Sequence, residues 1–333
     1  MNAKNLKILA AVFVVLVVAF LLLKQGDSGT AANTVLLPDL KSQINDVSVL
    51  RIRNGNDTVS VEKAGETWAI RERSDYPANV GTLRDLLLAL ADAKVIEYKT
   101  SRPDKYHLIG VNDPSDEGSE AHEIAINGDG FEYVVILGKP AQDSYRYARV
   151  GGQSQSLLID QDPDISAAAG SWLAPGLVDI SAERIQRVSI THADGEEIVI
   201  EKASEEAEGF DVLDIPDGRE LSYAGVANGI ADTLVELSLD DVRRAPAEEV
   251  IPGTTTIFRT FDALRIEIGI VEDGDSSWIS VRASAEDGAD TDVQDEAAGI
   301  NDRVSGWSYA IPDHKLNLLK RRLEELLKTP ETE

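Results

Sequence analysis

The chain reads as an internally duplicated α+β protein: two similar halves of antiparallel strands with one main helix each, preceded by a single transmembrane helix. Three observations predict this. Segments in which apolar and polar residues alternate mark strands. The same succession of strands, helix and strands comes round twice. An apolar run without any charge, Ile8–Leu23, opens the chain.

That run is flanked by Lys4, Lys7 and Lys24. At ~1.5 Å of rise per residue it covers roughly 24 Å as a helix, against a hydrocarbon core ~30 Å thick. Lys7 and Lys24 lengthen the span by snorkelling to the headgroups. No polar face makes it amphipathic, so a soluble helix fits poorly. A cleaved signal peptide is the alternative, with the small residues Ser28–Ala32 as its cleavage region. Basic charge is greater before the run than after it. The expected orientation leaves the N-terminus in the cytoplasm and the body on the periplasmic side of a bacterial inner membrane. Residues 1–24 are then the anchor, and 25–43 a small, polar tether.

The first repeat is expected over 44–178. Leu50 and Ile52 alternate with arginines, Val59 and Val61 with Ser60 and Glu62, and Trp68 and Ile70 with Ala69 and Arg71. Asn54-Gly55 between the first two strands is a hairpin signal, because such a turn needs positive φ. Val80, Leu83, Leu86, Leu87 and Leu90 recur at helical spacing, and a short strand follows at Val95–Tyr98. Ile124 and Ile126 lead through Asp129-Gly130 into Phe131–Leu137 and Tyr145–Val150. Asp160–Gly170 reads as helical, with Ser171-Trp172-Leu173 at the junction.

The second repeat is expected over 179–333. Val188 and Ile190 answer Leu50 and Ile52, Ile198–Lys202 answers Val59–Lys63, and Phe210 answers Trp68. Ser222 is the expected cap of a helix bearing Val226, Ile230, Leu234 and Leu237. Strands follow at Ile257–Phe261, Leu264–Ile270 and Trp278–Ala283, with Arg282 at the position that Arg149 holds in the first repeat. Residues 283–302 carry seven acids and no Lys or Arg, and are expected to form a mobile acidic loop. Trp307–Ile311 is a strand. An amphipathic helix over 313–328, capped by Asp313, closes the chain.

Composition narrows the function. The 333 residues include 32 basic and 59 acidic side chains, a net charge of −27. That balance repels phosphate backbones and disfavours nucleic-acid binding. Hydrophobic content of 43% supports a sizeable core. The absence of cysteine rules out disulfides, thiolate metal sites and a lipidated cysteine.

The segments INDVSVLRIRNG with ETWAI, KYHLIGVNDP and GWSYAIPDHKLNLLKRRLEELL carry a resemblance. The chain resembles the bacterial domain-of-unknown-function 4340 family from about Ile44 to Leu327, and in its N-terminal anchor. Tyr106–Gly110 with Asn112-Asp113-Pro114 is similar to a junction typical of that family. The acidic stretch after Ala283 departs from the pattern as a local expansion. The resemblance implies membrane anchoring and an association with ABC-type export components, including ones similar to gliding-motility transport proteins. It implies no chemistry.

No catalytic, cofactor-binding or metal-ligating residue set emerges from the motifs. His107, His122, His192 and His314 lack metal-binding spacing and are expected at the surface or in turns. No nucleophile elbow, phosphate loop or dinucleotide fingerprint occurs. Asp290, Asp292 and Asp295 do not match calcium-loop spacing. Asp240-Asp241 and Glu248-Glu249 are adjacent, so on strands they face opposite ways. Trp68, Phe210, Trp172, Trp278 and Trp307 are expected in the core rather than on a sugar platform.

The expected function is therefore a non-enzymatic, membrane-anchored periplasmic accessory subunit of an ABC-type export complex, without cofactor, whose partners are a permease or other accessory subunits. The alternatives are an envelope ligand-binding module or an envelope hydrolase with a site between the halves. Cargo, ligand and oligomeric state stay open.

Overall fold

Strands dominate the molecule. The computed structural model describes residues 33–246 and 250–329. These divide into two units, the first running through Trp172 and the second starting at Leu173, so the junction falls at the predicted Ser171-Trp172-Leu173 and not after residue 178.

The first unit holds β1 (Thr34–Val35), β2 (Val47–Asn54), β3 (Asp57–Ala64), β4 (Thr67–Ile70), β5 (Tyr76–Pro77), β6 (Lys94–Tyr98), β7 (His122–Gly128), β8 (Phe131–Pro140), β9 (Arg146–Val150) and β10 (Ser156–Ile159). They form one ten-stranded sheet in the order β1-β6-β10-β9-β8-β7-β2-β3-β4-β5. The second unit holds β11 (Ile185–His192), β12 (Glu197–Glu201), β13 (Asp211–Val212), β14 (Asp241–Arg244), β15 (Thr254–Thr260), β16 (Leu264–Asp273), β17 (Ser276–Ala285) and β18 (Trp307–Ala310). These make an eight-stranded sheet in the order β13-β12-β11-β15-β16-β17-β18-β14. Across the two sheets, β9-β8-β7-β2-β3-β4 and β17-β16-β15-β11-β12-β13 take the same path.

Hairpins and alternation account for the strands. Asn54 pairs with Asp57 across a two-residue turn in which Gly55 takes φ 57°, a value that costs glycine nothing. Ile52, Ile124 and Val135 share one buried face of the first sheet, and Ile190, Ile268 and Phe258 one buried face of the second. Edge strands are kept to two residues at β1, β5 and β13 and four at β14, which limits unwanted pairing with other chains.

The predicted α+β class, with one main helix per half, is overturned. Both units are built mainly of antiparallel strands, and the described helices are few and short. The first unit does have α1 (Leu40–Gln43), α2 (Val80–Asp92) and α3 (Tyr106–Ile109). Asn79 caps α2 by accepting from the N–H groups of Gly81 and Thr82, and Leu83, Leu86, Leu87 and Leu90 are buried. Val80, expected on that stripe, is exposed. The second unit replaces the expected helix with one turn, α4 (Asn228–Ala231), and a 3-10 turn at Asp232–Leu234. Gly225 at φ 80° precedes it and Gly229 sits inside it, which weakens any longer helix. Ile230, Leu234 and Leu237 are buried all the same. Ser222 is no cap; its N–H donates to the Leu326 carbonyl.

Further corrections concern the acidic stretch and the C-terminus. Residues 283–302 are not a mobile loop. Ala283–Ala285 finish β17, and α5 (Thr291–Val304) follows. Asp290 caps α5 by accepting from the Val293 N–H, and Val293, Ala297, Ile300 and Val304 form a buried stripe. Asn301 then bonds both the N–H and the C=O of Ala283, closing the part of the β17 edge that β18 leaves unpaired. The single helix expected over 313–328 is two, α6 (Asp313–Leu319) and α7 (Leu323–Leu326). Thr256 Oγ1 donates to the Leu319 carbonyl and His192 Nε2 lies 3.2 Å from the Arg321 carbonyl, so the sheet takes carbonyls that a continuous helix would use. Asp313 lies in the first turn of α6, and Pro312 holds the cap position.

The helix expected over Asp160–Gly170 is absent up to Ala168, and only a 3-10 turn, Ala169–Trp172, follows. Pro163 biases its predecessor away from helix, and Asp160 accepts from the Lys94 N–H instead. The tether does not extend to residue 43, because Leu36, Leu37 and Leu40 are buried. Among the described residues no helix is long and apolar enough to cross a membrane. The predicted span Ile8–Leu23 lies outside the described residues, so the fold gives no support to a preceding transmembrane helix.

Candidate functional site

Strands β16 and β17 bury one row of side chains, Ile266, Ile268, Ile279 and Val281 among them. The other row forms the floor of a groove. Across it Glu267 pairs with Arg282, Gly269 with Ser280, and Val271 with Trp278. Pro252 and Val250 flank the floor on one side, and Val304 at the end of α5 on the other; the groove encloses about 560 Å³. Gly269 is required here. A Cβ on it would come within 2.8 Å of Pro252 Cγ and 3.0 Å of Ser280 Oγ.

Strand β14 brings two arginines to this place. The Arg243 guanidinium lies over the Trp278 ring at 4.2 Å, and that of Arg244 over the Trp307 ring at 3.8 Å. Arg243 also pairs with Asp273 at 2.6 Å. Its Nε is buried and has no hydrogen-bond partner. Arg282 is exposed, and among the described residues no ion pair or hydrogen bond engages its side chain. Its cross-strand neighbour Glu267 is held by Arg265 at 2.5 Å instead. Beside the groove, Val250 is 44% and Ile251 88% exposed, an unusual placement for large apolar side chains in sequence neighbours.

The first unit offers a counterpart. Arg149 on β9 pairs across the sheet with Ile136 on β8 and, beyond it, Glu123 on β7. Here the face is covered. The Arg149 guanidinium stacks on Tyr106 at 4.8 Å, and its Nε donates to the Val111 carbonyl at 3.0 Å and Nη1 to the Gln153 carbonyl at 3.3 Å. Tyr106, Val111, Ala121 and Ile136 form a buried cluster. Nearby, the backbone N–H and hydroxyl of Ser115 hold the Asp113 carboxyl below its ordinary range, with Arg53 and Arg149 adding to the effect.

The remaining sequence candidates are scattered. His107 and His314 are exposed. His122 is half-buried, and burial, then Arg146, pushes its pKa down. His192 contradicts the expected surface position: it is 6% exposed, with Nδ1 3.1 Å from Thr254 Oγ1. Asp290 caps α5, Glu286 pairs with Arg259, and Glu296 with Arg184. Hydrogen bonding to Glu296, then to Asp262, raises the Arg184 pKa further. Among the described residues no group of three His, Cys, Asp or Glu is placed to hold a metal. Trp172, Phe210 and Trp307 are buried as expected, whereas Trp68 and Trp278 are half-exposed. The basic pair Arg243-Arg244, set in so acidic a chain, was the available signal for the groove.

No curated protein gives a significant match to the sequence. A family model described as "Domain of unknown function (DUF4340)" matches residues 68–252, from β4 in the first unit to the segment that leads into β15 in the second. That match covers more than half of the sequence, and the chain belongs to the DUF4340 family.

Proposed function

We propose that this protein is a non-enzymatic accessory subunit of an ABC-type export complex, held at the outer side of the bacterial cytoplasmic membrane and acting through contacts with other polypeptides. One observation carries the binding role: the open groove of the second unit, where two arginine-faced tryptophans stand beside exposed Ile251. Tryptophan and arginine are the residues most enriched where protein interfaces concentrate their energy. A rim that exposes Ile251 and Val250 to water gains by being covered. The export context follows from the family resemblance and the N-terminal apolar run, and the acidic surface suits a body that must not adhere to anionic lipid.

The test is affinity purification of the full chain, expressed at its native level and extracted in mild detergent. Co-recovery of an ABC-type permease is expected. Recovery of the chain alone would count against the proposal.

A further inference from the structure

The two units close the same place differently. In the first, the stretch between β6 and β7, residues 99–121, is long and contains α3. It runs so close to β8 that a Cβ on Gly138 would lie 2.3 Å from the Ile109 carbonyl oxygen and 2.7 Å from Val111 Cγ1. Its Tyr106 ring and Val111 carbonyl satisfy Arg149. In the second, the corresponding stretch between β14 and β15, residues 245–253, is much shorter. Its described part reaches the sheet at Gly269 through Pro252, and among the described residues no ion pair or hydrogen bond engages the Arg282 side chain.

We propose that the groove of the second unit receives a segment of a partner polypeptide in which acidic and apolar residues adjoin, with Arg282 as the residue that anchors its carboxylate. This rests on the reading that the protein works by binding other polypeptides, and adds the surface and the chemistry. The first unit shows what fits such a face: a turn of polypeptide that offers oxygen acceptors to the arginine and an apolar body to the sheet. Charge fixes the rest. Arg243 and Arg282 line one groove of a chain whose net charge is −27, Arg244 stacks on its Trp307, and the one acidic lining residue, Glu267, is held by Arg265. A carboxylate suits the planar fork of a guanidinium, which binds it through two parallel hydrogen bonds. Val250 and Pro252 supply the apolar side, Trp278 extends it, and Ile251 stands exposed next to them in the chain.

The experiment uses the full chain in detergent and a pair of short fluorescent peptides. One alternates leucine with glutamate; the other has lysine for each glutamate. Fluorescence anisotropy should show binding of the acidic peptide only, weakened by salt. Arg282→Glu should reduce its affinity at least about tenfold, and Arg282→Lys by less, while Arg282→Lys keeps the wild-type melting temperature; Arg282→Glu, set opposite Glu267, melts somewhat lower. Equal binding of both peptides, absence of binding, or binding unchanged in Arg282→Glu would overturn the proposal. Self-association abolished by Arg282→Glu would seat a second copy in the groove and overturn the choice of a different partner. The two proposals separate in the purification experiment. A permease recovered equally with Arg282→Glu strikes only the groove; a wild-type chain that binds the acidic peptide but recovers no permease strikes only the export role.

Discussion

Arg149 in the first unit and Arg282 in the second stand on the strand that follows the central hairpin, on the face opposite Ile124 in the first sheet and Ile268 in the second. Arg149 is fully engaged, by two backbone carbonyls and a tyrosine ring. Among the described residues no ion pair or hydrogen bond engages Arg282, and tryptophans stacked on neighbouring arginines line the groove around it. The connections differ: residues 99–121 cover the first sheet, whereas the described part of the shorter second connection, 245–246 and 250–253, meets its sheet through Pro252. A side chain of the same type at a like position is thus structural in one unit and available for binding in the other. Which role it plays depends on what the chain lays over it.

The largest effect should come from the core that both roles depend on. Trp172 is 1% exposed and its Nε1–H donates to the Ser166 carbonyl at 2.9 Å. Trp172→Ala should cost about 3–5 kcal/mol in denaturant unfolding. Trp68 is only half-buried, so Trp68→Ala should cost clearly less, and equal losses would contradict the assignment of core. Next come the two glycines beneath the covering segments. Gly138→Ala drives a Cβ into backbone carbonyls of residues 109 and 110 and should cost about 1–3 kcal/mol. Gly269→Ala first meets the Pro252 ring and the Ser280 hydroxyl and should cost less, because side-chain atoms give way more readily than backbone carbonyls. Reversal of that order in thermal melts would show that the second groove is the tighter of the two. Asp290→Ala removes the α5 cap and should cost about 1 kcal/mol, read as loss of helical circular dichroism.

The smallest effect is on pH. The Glu196 N–H, then Arg322, holds the Asp194 carboxyl below its ordinary range; Lys328 does so for Glu220, and Arg219 for Glu324. Folded-state values depressed in this way stabilise the C-terminal segment at pH values above the ordinary carboxylate range. The contribution is lost as pH falls through the folded-state values. These pairs are exposed and salt-screened. Hydrogen exchange at Ser222 and Lys328, whose N–H groups bond the Leu326 and Glu220 carbonyls, should quicken, after correction for intrinsic rates, at acid pH and in high salt. Protection unchanged under both conditions would show that apolar packing alone holds the segment.

Period-two alternation made most strands legible, from Leu50 and Ile52 to Leu264–Ile270, and Asn54-Gly55 marked its hairpin. The helices were less so, for physical reasons. The α5 stripe runs through Ala297, too small to stand out, and ends at Val304, beyond the acidic window, while its dock is a strand edge remote in sequence. The turn at Asn228–Ala231 has helical apolar spacing but two glycines that break it. The gap between α6 and α7 depends on Thr256 and His192 reaching carbonyls sixty or more residues away. The groove was hidden because Trp278 and Trp307 look like core residues until Arg243 and Arg244 are found stacked on them. The equivalence of Arg149 and Arg282 was visible early, but their opposite surroundings depend on connections whose course the sequence does not reveal.

The central claim is most directly tested by making the same substitution at both arginines. Arg149→Gln should lower stability by about 1.5–3 kcal/mol, as expected when a charged donor to the part-buried Val111 carbonyl is lost, and leave binding of the acidic peptide intact. Arg282→Gln should leave the melting curve within about 0.5 kcal/mol of wild type and weaken that binding. Equal destabilisation by the two substitutions, or binding lost only with Arg149→Gln, would contradict the account.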